Sequence, residues 1–165
     1  MAGERKPFFI VSAPRSGSTL LRLIFDSHPR LAVPPPGWLF DMVYPYLFSY
    51  GDLKKPRNLL ALAEDILNTP TVGKWPLNLT PEQLARACRE PTFAGAYEAV
   101  HAAYAQGEGK ARWGEKTPRN SFWMDEILAL FPDAQFIHIV RDGRDQSIDI
   151  SDSLLWPYSV YSGAA

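Results

Sequence analysis

Phe8-Phe9-Ile10-Val11-Ser12-Ala13-Pro14-Arg15-Ser16-Gly17-Ser18-Thr19 is the stretch on which the fold turns. Residues 8–11 are a continuous apolar run that gives way to turn-forming residues, the pattern of a strand buried on both faces of a parallel sheet. Residues 18–27 then read as a helix, with Leu20, Leu21, Leu23, Ile24 and Phe25 as its apolar content, and Ser27-His28-Pro29 ends it because a helix tends to stop before proline. A loop between a strand and a helix points free backbone N–H groups at one spot where the helix dipole is also positive, which favours a phosphate or sulfate. Gly17 lets backbone approach an anion closely, Arg15 adds charge, and the hydroxyls of Ser16, Ser18 and Thr19 can donate further bonds. An ordinary turn with a serine N-cap would use the same residues. A P-loop kinase would need Gly-Lys followed by Ser or Thr, but Ser18 follows Gly17 directly and neither the ammonium nor the magnesium ligand is supplied.

The whole chain bounds what such a site can serve. Its 165 residues are 46% hydrophobic and 13% aromatic, the size of a single domain (residues 1–165) with a real core. A formal net charge of −1 provides no cationic field for DNA, RNA or an anionic membrane surface, so any anion site must be local. The polar start and the short apolar run after it suit neither a signal peptide nor a membrane span, and a cytoplasmic chain is expected. Cys88 is the single cysteine, which rules out an internal disulfide and a cysteine-based zinc cluster; it reads as a small apolar helix residue.

Farther along, residues 34–50 are rich in proline and aromatics without a clean period and read as a shaped insertion. Residues 59–67 form a short helix, and Thr80-Pro81-Glu82-Gln83 marks a helix start with N-cap, proline and an acceptor three residues on. Residues 94–105 place Tyr97, His101 and Tyr104 on one helical face, where His101 packs. A short strand over 111–115, a helix over 121–131 with Ile127, Leu128, Leu130 and Phe131 turned inward, a strand over 135–140 and a final helix over 142–153 complete the pattern. Helices separating strands imply an α/β fold with a parallel sheet flanked by helices.

Two further segments bear on function. Phe136-Ile137-His138-Ile139-Val140-Arg141-Asp142-Gly143-Arg144-Asp145 sets Arg141 just past a parallel strand, at the sheet edge where α/β proteins bind ligands; taken alone, a solvated Arg/Asp turn explains it better. Trp113-Gly114-Glu115-Lys116-Thr117-Pro118 lies between the two loops.

Together the three segments resemble the sulfotransferases that use 3′-phosphoadenosine 5′-phosphosulfate (PAPS), in the family's order. Residues 14–19 match the bacterial form P-R-S-G-T/S-T of the 5′-phosphosulfate loop. The Arg141 segment is similar to the 3′-phosphate motif R-x-P-x-D, with Gly143 in place of proline. Residues 113–118 resemble W-G-E/D-K-T-P. The resemblance implies a P-loop-like architecture and sulfuryl transfer from PAPS to a hydroxyl or amine, leaving 3′,5′-adenosine diphosphate, with no metal needed. It implies that Arg15, Ser16, Gly17, Ser18 and Thr19 hold the 5′-phosphosulfate, that Arg141 binds the 3′-phosphate, and that Lys116 faces the sulfuryl group. The family has a serine eight residues after the arginine where this chain has Asp149; Ser147 and Ser151 flank it, and Ser147 is the candidate replacement. The family's glutamate after the first helix is also missing from Pro34-Pro35-Pro36-Gly37-Trp38, which leaves Glu115 as candidate general base, with Asp41 and His28 behind it. Aromatics over 38–50 and Trp156 suggest an apolar acceptor pocket. Sulfotransferase domains usually continue past the 3′-phosphate helix, so the expected chain is a fragment, a natural truncation or a domain that dimerises to complete its site. A non-catalytic nucleotide-binding module is the remaining alternative.

Overall fold

A computed structural model describes residues 6–151. Four strands run in parallel: β1 (Phe8–Ser12), β2 (Leu31–Ala32), β3 (Arg112–Lys116) and β4 (Gln135–Ile139), in the order β2-β3-β1-β4. The apolar run of the opening stretch is therefore an inner strand, and Phe8 to Ser12 are all buried. Around the sheet lie α1 (Ser18–Asp26), α2 (Leu39–Met42), α3 (Pro56–Asn68), α4 (Pro81–Ala87), α5 (Phe93–Gly107), α6 (Met124–Leu130) and α7 (Gly143–Ser151), with 3-10 turns at Tyr44–Tyr50, Val72–Lys74 and Pro118–Phe122. The α/β reading with a parallel sheet holds.

Alternation along β1 divides the interior in two. Phe9 and Val11 face the larger core, packed with Phe40 of α2, Leu62 and Ile66 of α3, Tyr97 and Val100 of α5, and Ile127 of α6. Phe8 and Ile10 face a smaller cluster with Val33, against which Leu21 and Phe25 of α1 and Ile137 and Ile139 of β4 pack. Register sets Phe9 beside Glu115 and Ile10 beside Lys116, so the two successive side chains of β3 go to opposite faces. Gly114 sits against the Phe8 ring, which a Cβ there would strike.

α1 uses only one stripe of its apolar residues: Leu20 and Ile24 are 64% and 56% exposed. The helix read over 121–131 is shorter, because the chain first makes the 3-10 turn at Pro118–Phe122 and turns helical at Met124. Ile127 then meets the sheet, whereas Leu128, one position round the helix, is exposed and not inward. His101 is buried, with its ring 4.4 Å from that of Tyr97. Burial pushes its pKa down to about 4, leaving a neutral imidazole whose Nδ1–H donates to the Tyr97 carbonyl at 2.8 Å. The insertion over 34–50 divides into α2 and a 3-10 turn, with Phe40 in the core and Phe48 outside. Trp156 and the end of the helix read over 142–153 lie outside the described residues. Among these residues no helix is long and apolar enough to cross a membrane.

Candidate functional site

Because β1, β3 and β4 are parallel, their C-terminal ends share one edge, and the three segments singled out in the sequence converge there. The loop after β1 is the candidate anion site. Gly17 caps α1 at φ 86, a left-handed conformation that glycine adopts at little cost, and no atom lies within 4 Å of where its Cβ would be. The first turn of α1 has no acidic side chain and no side-chain cap, so its amides and dipole are uncompensated. Ser16 Oγ is buried with no hydrogen-bond partner, as is Ser12 Oγ at the end of β1. Buried hydroxyls are normally satisfied, and a phosphate or sulfate oxygen would satisfy these two. Ser12 was not among the sequence candidates; its signal is a hydroxyl interrupting an apolar strand at the loop's entrance.

Arg15 and Trp38 are the two non-glycine residues with positive φ among the described residues, at 63° and 56°. Such conformations cost energy and persist only where neighbours impose them. Arg15 is held through its carbonyl, which accepts from Arg141 Nη1 at 2.8 Å. Gln146 Nε2 of α7 donates to the Pro14 carbonyl at 2.7 Å, so the end of β4 and the start of α7 brace the anion loop. The Arg15 side chain is exposed.

Lys116 reaches the loop from β3. Its Nζ donates to Thr19 Oγ1 at 3.3 Å. Burial lowers its pKa, Glu115 opposes that shift and Arg22 adds to it. Arg22, on α1, donates to the Val33 carbonyl at 2.8 Å and pairs with Asp26 at 3.7 Å; Asp26 also binds Lys110 at 3.1 Å. This network fastens α1 to the chain leaving β2.

Glu115 is placed differently. On the opposite face from Lys116, with 1% of its surface exposed, its carboxylate accepts from the Thr117 amide at 3.1 Å, the Thr117 hydroxyl, Asn120 Nδ2 and the Gly37 amide. Thr117 Oγ1 in turn accepts from the Trp38 amide at 3.3 Å. Glu115 is thus the anchor of the loop carrying Gly37 and Trp38, a connection over 79 residues of chain that no local pattern displays. Asp41 Oδ1 accepts from Arg119 Nε at 3.2 Å and Trp123 Nε1 at 3.3 Å, while His28 is exposed at the end of α1 and accepts from the Arg30 amide.

At the end of β4, Arg141 Nη1 also forms an ion pair with Asp149 on α7. The Ser147 hydroxyl is buried and donates to the Gly143 carbonyl of its own helix at 2.7 Å. Arg144, beside them, pairs with Asp142 at 2.8 Å.

Two unpartnered buried hydroxyls and a helix start without a side-chain cap, at the end of a parallel sheet, define an α/β protein with a candidate anion site at that edge. Residues 7–162 match the Sulfotransferase family, and the chain belongs to that family. It is 28% identical over 134 residues to the nodulation protein NoeE of Sinorhizobium fredii, an alignment covering 81% of this chain and 28% of that protein. It is 29% identical over 145 residues to an uncharacterized protein of Aquifex aeolicus, covering 88% of this chain and 17% of that one. The sulfotransferase domain from the curacin biosynthetic pathway superposes with a TM-score of 0.54 at 18% identity, over 97% of this chain and 57% of that domain. Sulfotransferase STF1 of Mycobacterium tuberculosis gives 0.47 at 16% identity, over 88% and 48%. The chain thus spans less than a third of the curated relatives' length and about half that of the solved structures.

Proposed function

We propose that this chain binds PAPS at the shared sheet edge and transfers its sulfuryl group to a hydroxyl or amine. The observation that carries the reading is the loop after β1, with two buried unpartnered hydroxyls and an uncompensated helix terminus, reached by Lys116. In this reading the amides of residues 16–19 and the Ser16 hydroxyl hold the 5′-phosphate, with Ser18 and Thr19 at the start of α1. Arg15 and Lys116 neutralise the sulfuryl and bridging oxygens, and Arg141 binds the 3′-phosphate.

The transfer is an in-line displacement at sulfur. The acceptor oxygen or nitrogen forms the new bond to sulfur while the bond to the 5′-phosphate oxygen breaks, 3′,5′-adenosine diphosphate departs with the electron pair, and the acceptor's proton is released to water. Negative charge is spread over the sulfuryl and bridging oxygens in the transition state, so fixed cations and amides accelerate the reaction by alignment and charge stabilisation. Glu115, the sequence's first choice as general base, has its carboxylate occupied by four donors on the other face of β3; we assign it to holding the loop at Gly37 and Trp38. The aromatic stretch over 38–50 favours an apolar or aromatic alcohol as acceptor.

Calorimetric titration of Arg15→Ala and Arg141→Ala with 3′,5′-adenosine diphosphate and with adenosine 5′-phosphosulfate tests the reading. Arg141→Ala should weaken the 3′-phosphorylated ligand by about 10- to 150-fold more than the other, a charge-assisted contact of roughly 1.5–3 kcal/mol, with any smaller loss common to both ligands reporting the lost brace on the Arg15 carbonyl. Arg15→Ala should weaken both. Equal losses for the two ligands in Arg141→Ala would remove the 3′-phosphate assignment.

A further inference from the structure

Arg141 already has an anion. Its Nη1 is bonded to the Asp149 carboxylate, eight residues on and two turns into α7, and the same nitrogen donates to the Arg15 carbonyl. The pair is neither buried nor fully solvated, with side-chain exposures of 35% for Arg141 and 38% for Asp149. A ligand phosphate can reach it.

We propose that Asp149 is an internal anion competing with the nucleotide's 3′-phosphate for Arg141, and so sets how strongly this site distinguishes 3′-phosphorylated from plain 5′-nucleotides. The inference rests on the function proposed above and deepens it. Geometry leaves two routes for a 3′-phosphate. It either displaces Asp149 from the guanidinium, at the cost of the existing pair, or shares the guanidinium with it, at the cost of placing a carboxylate beside a phosphate. Both costs weaken 3′-phosphate recognition and neither touches a ligand without that group. A partly exposed ion pair contributes little by itself, so most of the penalty is like-charge repulsion, which grows as the bound nucleotide excludes water. Arg141 has a second duty that Asp149 supports, because the guanidinium held by Asp149 also braces the Arg15 carbonyl.

The test is titration of the parent, Asp149→Ser and the charge-retaining Asp149→Glu with 3′,5′-adenosine diphosphate and with adenosine 5′-monophosphate, each variant first checked by melting. Asp149→Ser should bind the 3′-phosphorylated ligand about 10-fold more tightly with the monophosphate unchanged, and Asp149→Glu should stay near the parent. Unchanged affinity of Asp149→Ser for 3′,5′-adenosine diphosphate, or equal gains for both ligands, would overturn the competition while leaving the donor-site reading intact. If neither parent nor Asp149→Ser prefers the 3′-phosphorylated ligand to the monophosphate, the 3′-phosphate reading fails, and this inference with it.

Discussion

A carboxylate taken out of water must collect donors or give up its charge, and Glu115 is pulled both ways. Burial raises its pKa to about 7, while the Thr117 hydroxyl, the Gly37 amide, the Lys116 charge and the Thr117 amide pull it down. A folded pKa above the unfolded value of about 4.5 means that the folded state holds the proton more tightly. The associated stability is complete below about pH 4.5 and is lost as pH rises through about 7. The difference in unfolding free energy between the parent and Glu115→Gln should therefore shift against the parent across that window. Denaturant titrations at several pH values check it, and a constant difference would show that Glu115 exchanges no proton on folding. Glu115→Ala should cost about 3 kcal/mol or more, because it strands buried donors without their acceptor.

Among the elements, α4 has its start most fully specified. Thr80 Oγ1 accepts from the Gln83 amide at 3.3 Å, Gln83 Oε1 accepts from the Thr80 amide at 2.8 Å, and Pro81 occupies the first turn. Removing one half of this reciprocal pair by Thr80→Ala should destabilise by about 1 kcal/mol, a fall in Tm of about 2–4 °C for a chain of this size. α4 packs on α3 and α5 and carries none of the anion donors. Calorimetry should therefore find nucleotide affinity unchanged in the same variant. A loss of affinity would tie α4 to the site.

At the scale of the molecule, three strand ends, one helix terminus and α7 meet at one edge, so a ligand there joins segments distant in sequence. A nucleotide that binds only the folded state stabilises the whole fold by about 2.7 kcal/mol at 100 times its Kd. PAPS or 3′,5′-adenosine diphosphate should accordingly raise Tm by roughly 5–10 °C with chelator present. Thermal melts in parallel with ATP and magnesium check the alternative: a shift with ATP alone would point to a kinase.

Phe8 to Thr19, read by themselves, were enough to place a buried strand, a tight loop turning at a positive-φ glycine and a helix, because apolar runs and turn residues act over a few residues of chain. Thr80 to Gln83 were legible for the same reason, and so was the packing role of His101, which follows from its helical face. Long-range pairing decided the rest. β2, two residues long, exists because β3 lies beside it, and no periodicity could announce it. Glu115 and Lys116 read as neighbours on one motif, yet strand alternation sends one to the core and the other to the anion loop, and only the position of α1 says which face is which. Asp149 read only as a departure from the family's serine, because its partnership with Arg141 depends on how α7 leaves β4. Local sequence limits backbone conformation and hydrophobic period, whereas the partner of a charge is set by which distant elements pack together, and that was decided by the tertiary structure.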